Sequence, residues 1–509
     1  MRFLTLASLA CCLVSSALGR EGHPNRLDLS SPHPTPPPTL QRRAQKCSQT
    51  SDCSNTPPKN ANKWCNTKSG VCSWRCRTGF TQNGSTCVLT STSTTKAAAT
   101  TSRPASTTSR RMTTTTASAS TCAPTYTGAA TTIRGTGTLP KPTAFVKRSG
   151  TDLTLSGRSY RIVGPNIYWL CQDENFGPIG SYTDKGRVRE ALAIAVAMGA
   201  NTIRVLSCGI SVGTNNGNTF NLEPTFNDFN LAALDIRDYV LYAAREYGIR
   251  VIMTMTDNYQ FYHGGKYNFL DFVGASTANG GAAFYTNQNA IAAYKTYLTK
   301  FLTRTNSYTG VKYVNDPTII AWETGNELGG YINAEMYPPA SWTKTIIDTI
   351  RTYDKNHLII DGSNGFWNYS TNAVAPGLDV AGVDIMSDHG YPRNTGILER
   401  EIELADDANK AFFVGEYDWR PNGGGVPLTD YLSFLENNQL GDQIWSLFGH
   451  DPQCCAFVQH NDGYSIYYPN GNSATDQAAI LQVVQHWYRV TGRTVPTRLP
   501  AVACPQPIF

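Results

Sequence analysis

Two short apolar runs in this 509-residue chain end in carboxylates. Ile319-Ile320-Ala321-Trp322-Glu323-Thr324-Gly325-Asn326-Glu327 ends in Glu327, and Phe412-Phe413-Val414-Gly415-Glu416 ends in Glu416. Two carboxyl groups facing each other across a cleft suit glycoside hydrolysis. One stays protonated to serve the leaving oxygen, while the other stays ionised to attack the anomeric carbon. Each has a plainer explanation when taken alone: Glu327 would favour the N-terminus of a following helix, and Glu416 would be a surface carboxylate at a strand end. Similar runs end in Asn166, Arg204, Asp257-Asn258, His389 with Tyr391, and Trp445. Taken alone, Arg204 could simply pair with Asp235 or Asp238 on the next helix. Trp445 would offer a stacking face or fill the core. Asp384 and Asp388 are scattered acids beside one histidine, too little for a metal site, and no cofactor or metal is expected. His263 and His450 have no assigned role.

These positions need elements to hold them. Short β-branched runs occur at 161–166, 201–206, 250–255, 318–323, 357–361, 383–387, 411–416 and 443–447. Apolar residues at helical spacing fall between several of them, at 188–198, 229–247, 290–302, 342–353 and 478–487. Apolar strands alternating with helices predict a parallel sheet with helices packed on it. Eight repeats suit an α/β fold of the closed (β/α)8, or TIM barrel, type. A doubly wound open sheet is the alternative, but no GxGxxG turn follows the first run. A barrel places functional residues at the C-terminal ends of its strands, where the polar residues named above stand. Residues 152–160 alternate around Ser156-Gly157, as expected of a hairpin closing the barrel floor.

The ordered set Arg204, Asn326-Glu327, His389-x-Tyr391, Glu416 and Trp445, each ending a successive strand, resembles glycoside hydrolase family 5. The stretches Ile444-Trp445-Ser446-Leu447-Phe448-Gly449-His450 and His389-Gly390-Tyr391-Pro392 resemble its fungal endo-β-1,4-mannanase branch. The likeness spans roughly residues 145–490. It implies a retaining endo-hydrolase in which Glu327 is the acid/base and Glu416 the nucleophile. By the same likeness Asn326 holds the sugar 2-hydroxyl, Arg204 keeps Glu416 ionised, His389 and Tyr391 orient the two glutamates, and Trp445 floors the cleavage subsite. Asn258 and Trp169 are further candidates for substrate binding. The usual Asn-Glu-Pro is Asn326-Glu327-Leu328 here, and the loop Asp257-Asn258-Tyr259-Gln260-Phe261-Tyr262-His263-Gly264-Gly265 also departs from the pattern. These departures bear on the substrate and leave the chemistry alone. The expected partner is a polysaccharide, β-mannan first. A β-glucanase or transglycosylase on the same fold is the alternative, as is an inactive cell-wall adhesin that binds carbohydrate without turning it over.

The rest of the chain divides by composition. Residues 1–19 have Arg2, an apolar segment and the small residues Ser15-Ser16-Ala17-Leu18-Gly19, the pattern of a signal peptide. The protein is therefore expected to be secreted and extracellular. Without Cys11 and Cys12, the even remainder of the 14 cysteines reads as disulfides. Residues 20–46 are Pro-rich and extended. Residues 47–89 carry Cys47, Cys53, Cys65, Cys72, Cys76 and Cys87, a disulfide module too small to fold on its core alone. Its Trp64, Trp74 and Phe80 would form a sugar platform, or the module would be a spacer or a protein-binding unit. Residues 90–121 hold 20 Ser or Thr among 32 and no acid, a mucin-like linker. The barrel then occupies 122–509, where Cys171 could bond Cys208, Cys122 could bond Cys504, and one of Cys454-Cys455 could stay free. Asn83-Gly84-Ser85 and Asn368-Tyr369-Ser370 are glycosylation sequons, and Arg42-Arg43 is a dibasic pair. A net charge of +5 with no clustered Lys/Arg is no nucleic-acid footprint. No stretch after the first reaches the roughly 20 apolar residues of a membrane span. A monomer is expected.

Overall fold

The computed structural model describes residues 139–508, except 176–181, 206–208, 211–219, 261 and 330–336. It also gives the backbone of four strands between residues 61 and 89, where Ala61–Asn66 runs antiparallel to Val71–Cys76 and Phe80–Asn83 to Thr86–Leu89. The expected signal peptide, Pro-rich segment and Ser/Thr-rich linker, and the side chains of the six-cysteine module, lie outside the described residues.

Eight parallel strands form one sheet. They are β1 (Val163–Pro165), β2 (Thr202–Val205), β3 (Arg250–Thr254), β4 (Ile319–Glu323), β5 (Leu358–Ile360), β6 (Ile385–Gly390), β7 (Ala411–Tyr417) and β8 (Gly441–Ile444). From β2 to β8 each pairs with the next in sequence, and β8 pairs with β1. The remaining seam, between β1 and β2, carries a parallel bridge from Asn166 to Arg204 and a hydrogen bond from Ile167 N to Arg204 O at 2.9 Å. The sheet is a barrel, and every run anticipated as a strand takes part. The strands are short and mostly buried along their whole length, as strands covered on both faces must be.

Among the described residues, seven long helices cover it: α1 (Lys185–Ala197), α2 (Leu231–Tyr247), α3 (Gln288–Leu302), α4 (Ala340–Tyr353), α5 (Thr395–Asp407), α6 (Leu428–Asn437) and α7 (Ala474–Val490). Their starts are set locally. Asp184, Asn230, Asn287, Asn394 and Ser473 each accept backbone N–H groups of the first turn, which would otherwise lack partners. Helices α5 and α6 were not anticipated. Only Leu398, Glu401 and Ala405 of α5 are buried, too sparse an apolar stripe to stand out. Among the described residues the β5–β6 connection has no α-helix, only a small hairpin (Trp367–Asn368 with Ala373–Val374) and a 3-10 turn at Pro376–Asp379.

The stretch 152–160 does close the floor. Asp152–Leu155 pairs with Val146–Ser149 and Arg158–Ser159, turning at Ser156 (φ 51) and Gly157 (φ 77). Leu153, Leu155 and Tyr160 pack with Val146 and Ile162 against Ile252, Ile320, Leu358, Ile385 and Phe413 inside the barrel. This apolar plug fills the N-terminal end, so polar side chains inside the barrel collect at the other.

One cysteine expectation is corrected. Cys504 bonds Cys454 rather than Cys122, with Cα atoms 5.7 Å apart, because the C-terminal tail runs beside the loop after β8. Cys455 is disulfide-bonded as well, so neither of the adjacent cysteines is free. Cys171 is also disulfide-bonded, and Cys208 lies outside the described residues. No helix among the described residues is long and apolar enough to cross a membrane.

Candidate active site

Arg204, on β2, is fully buried. Its Nε donates to Glu323 Oε2 at 2.8 Å, Nη1 to Asn166 Oδ1 at 2.9 Å and Glu416 Oε1 at 2.8 Å, and Nη2 to Asn326 Oδ1 at 2.8 Å. One guanidinium thus gathers the ends of β1, β2, β4 and β7. Burial by itself would weaken its protonation, but the Glu323 and Glu416 carboxylates outweigh it and raise the pKa. Neither Asp235 nor Asp238 is its partner; Asp238 instead holds Arg304. Glu323 is a site residue that sequence reasoning passed over. It ends β4 pointing into the barrel, where it also accepts from Thr254 Oγ1.

Asn326 is held from both sides. Besides Arg204 it has Asp257, whose Oδ1 accepts from Asn326 Nδ2 at 3.0 Å. Burial pushes the Asp257 carboxyl up to about 7. Glu327 follows in the left-handed region, φ 49, a conformation that costs an ordinary side chain about 1–2 kcal/mol. The strands on either side impose it, since Asn326 N donates to Thr256 O at 2.8 Å and Leu328 N to Gly362 O at 2.8 Å. That turn directs the Glu327 carboxylate at His389, whose Nδ1 lies 2.6 Å from Glu327 Oε1 and 3.7 Å from Glu416 Oε2. Burial would lower the His389 pKa, but the two glutamates outweigh it and raise it. Gly415 clears the space: a Cβ there would sit 3.0 Å from His389 Nε2 and 2.4 Å from Ser387 Oγ.

Tyr391 donates to Glu416 Oε2 at 3.1 Å. Burial, with Glu416 beside it, keeps the phenol well above its usual pKa and so a donor. For Glu416 burial is also the largest influence and drives the pKa up. Glu327 adds to the rise, while His389, Arg204 and Tyr391 oppose it. One oxygen of Glu327, one of Glu416 and a ring nitrogen of His389 all lie within 4.8 Å of one another.

Trp445 directly follows β8, is 7 % exposed and is joined to Ser446 by a cis peptide bond. Tyr168 stacks on it, with centroids 5.4 Å apart and planes 11° from parallel. Trp169, expected at the substrate, is fully buried with its indole N–H on Leu447 O at 2.8 Å and the Arg187 guanidinium 4.4 Å over its ring. Both its face and its donor are taken, so it packs the barrel wall, and the neighbouring Tyr168, also buried, is the ring that stacks on Trp445. Asn258 is turned inward too. Its Oδ1 accepts from Lys266 Nζ at 2.5 Å and its backbone N–H donates to Asn326 O at 2.9 Å, so it braces Asn326 from behind. His263 sits 3.3 Å from Glu174, and His450 2.5 Å from Glu190.

The architecture is that of a (β/α)8 barrel with two carboxylates, an arginine and an imidazole converging at its C-terminal mouth. Residues 143–417 match the family model described as GH family 5 beta-mannosidase-like, and the chain belongs to that family. It is 31 % identical over 291 residues to mannan endo-1,4-beta-mannosidase 1 of Oryza sativa subsp. japonica, covering 54 % of this chain and 63 % of the relative. It is 28 % identical over 274 residues to mannan endo-1,4-beta-mannosidase 2 of Arabidopsis thaliana, covering 49 % and 60 %. The chain therefore spans less than two thirds of these curated relatives. Among solved structures, the endo-1,4-beta-mannanase from Rhizomucor miehei aligns with a TM-score of 0.56 at 23 % identity, over 69 % of this chain and 100 % of that one. The endo-beta-1,4-mannanase from Thermotoga petrophila aligns with a TM-score of 0.54 at 21 % identity, over 67 % and 79 %. At such identities these likenesses speak for the barrel fold alone. The family match stops at residue 417, short of β8 and Trp445.

Proposed function

We propose that this protein is a secreted, retaining endo-β-1,4-mannanase. The carrying observation is the convergence of Glu327, Glu416 and His389 within 4.8 Å. That spacing favours the roughly 5–5.5 Å carboxyl separation of a retaining hydrolase over the 6.5–9.5 Å needed to seat a water between the groups. Glu416, gripped by Arg204 and Tyr391, attacks the anomeric carbon as the glycosidic C–O bond breaks, and Glu327 gives its proton to the departing oxygen. Glu327 then takes a proton from water, whose oxygen displaces Glu416 and frees the sugar. Asn326, fixed by Arg204 and Asp257, presents its amide to the 2-hydroxyl, and Trp445 floors the same subsite. Mannan is the favoured polymer because the family match and the mannan-named relatives both point to it. Export rests on the charged, apolar and small-residue pattern of residues 1–19.

The test is reducing-sugar release from β-mannans, β-glucans and xylan, with proton NMR of the first products. Release from mannan with the anomeric configuration kept is the expected result. Preferential release from glucan would move the substrate, and an inverted first product would overturn the mechanism.

A further inference from the structure

Beside the catalytic groups lies a second network, on the loop after β8 and outside the residues matched by the family. Trp445 Nε1 donates to Asp462 Oδ2 at 2.7 Å. His460 Nε2 lies 3.2 Å from the same oxygen, and Asp462 Oδ1 accepts from Tyr464 N at 2.8 Å. Both side chains are almost entirely shielded from solvent. His460 also reaches the other loops of this wall: its Nδ1 is 3.1 Å from the Tyr168 hydroxyl after β1, and its Nε2 is 3.3 Å from the Tyr262 hydroxyl after β3. Tyr262 stacks on Tyr168 at 4.5 Å, and Tyr168 backs Trp445. A buried carboxylate is costly unless it is paired and hydrogen-bonded, and a buried indole N–H normally has a partner. Here the two needs meet in one contact. Burial would raise the Asp462 pKa, but His460 and the donors around it hold it below the usual value.

We infer that Asp462, anchored by His460, is a positioning residue that fixes the plane of Trp445 under the sugar being cleaved. The inference deepens the proposed function and rests on it for the sugar at Trp445. A flat ring can rotate about its own bonds. A single strong acceptor at the indole nitrogen, with Tyr168 stacked on the ring and Tyr262 6.0 Å away, leaves one orientation. Misplacing a group that supports the reacting sugar by about 1 Å can cost on the order of 100-fold in rate.

A double-mutant cycle on the full-length protein tests this, read on soluble manno-oligosaccharides. Asp462→Ala should lower kcat about 10- to 100-fold with KM changed by less than about threefold. In the Trp445→Phe background, which keeps a ring but has no N–H to hold, the same substitution should cost less than about threefold. If Asp462→Ala fails to fold, Asp462→Asn carries the cycle, with the same non-additivity at smaller amplitude. Equal losses in both backgrounds, or an unchanged kcat in the single variant, would overturn the inference. The wild-type protein separates the two levels. Absence of turnover on every β-glycan sinks the functional reading, whereas robust mannan turnover with additive variants sinks only the positioning role.

Discussion

The two glutamates differ in surroundings, and the difference can be read by chemical rescue. In Glu416→Ala no covalent intermediate can form, so turnover should fall by several orders of magnitude, and azide in the vacated space should give a glycosyl azide of inverted configuration. In Glu327→Ala a substrate with an activated leaving group should still load Glu416, giving a burst, and azide should then yield the retained anomer. Swapped anomers would exchange the roles; full activity in both variants would place the chemistry elsewhere. Tyr391 offers a finer probe. Its hydrogen bond to Glu416 Oε2 favours the ionised carboxylate, whose pKa burial has already raised. Removing the donor in Tyr391→Phe must raise it further. Because the nucleophile works only when ionised, the acid limb of the kcat/KM profile should move about one unit to higher pH, as expected for losing a hydrogen bond to a charged group. An acid limb that stays in place would mean Glu416 does not set it.

At the scale of elements, the barrel closes around ion pairs as well as apolar contacts. His486 on α7 lies fully buried with Nδ1 2.8 Å from Glu436 Oε1 of α6 and Nε2 2.8 Å from Asp442 Oδ2 of β8. Burial works against its charge, yet the Asp442 and Glu436 carboxylates raise the pKa to about 9. A histidine raised in the folded state adds stability that is complete below its unfolded value of about 6.5 and fades as the pH rises through about 9. The contribution is on the order of 3 kcal/mol at the acidic end. His486→Gln should therefore lower Tm by a few degrees at pH 6 and by much less at pH 10. Calorimetric melts of both proteins at the two pH values check this, and an equal deficit at each would show that packing, not charge, is what His486 supplies. The helices were partly legible, from the apolar spacing at 188–198, 229–247, 290–302, 342–353 and 478–487. Helix α5 was not, because so few of its residues face the core.

On the scale of the whole molecule, we propose from composition that residues 20–121 stand apart from the barrel. A Ser/Thr-rich tether without apolar periodicity transmits little structure between the units it joins. Deleting residues 20–121 should leave turnover of soluble oligosaccharides within about threefold of the full chain, measured side by side with the same activated substrate. A larger loss on short substrates would mean that the deleted region takes part in the site. An effect confined to insoluble mannan would instead mark it as a device for holding the polymer.

The amino-acid sequence by itself determined the alternation of strands and helices, the floor hairpin and the strand-end positions of Arg204, Asn326, Glu327, His389, Tyr391, Glu416 and Trp445. It could do so because strand periodicity and barrel topology convert linear order into position: a polar residue ending an apolar run must stand at the mouth. Only the tertiary structure decided which partner each polar group takes. That Arg204 grips Glu323, that Glu327 bends into the left-handed region to meet His389, and that Cys504 bonds Cys454 all depend on loops far apart in the chain. Between Tyr168 and Trp169 the sequence has no preference either, as adjacent aromatics of similar character. Their roles part only because the turn after β1 packs one indole against Leu447 and Arg187 and stacks the phenol on Trp445.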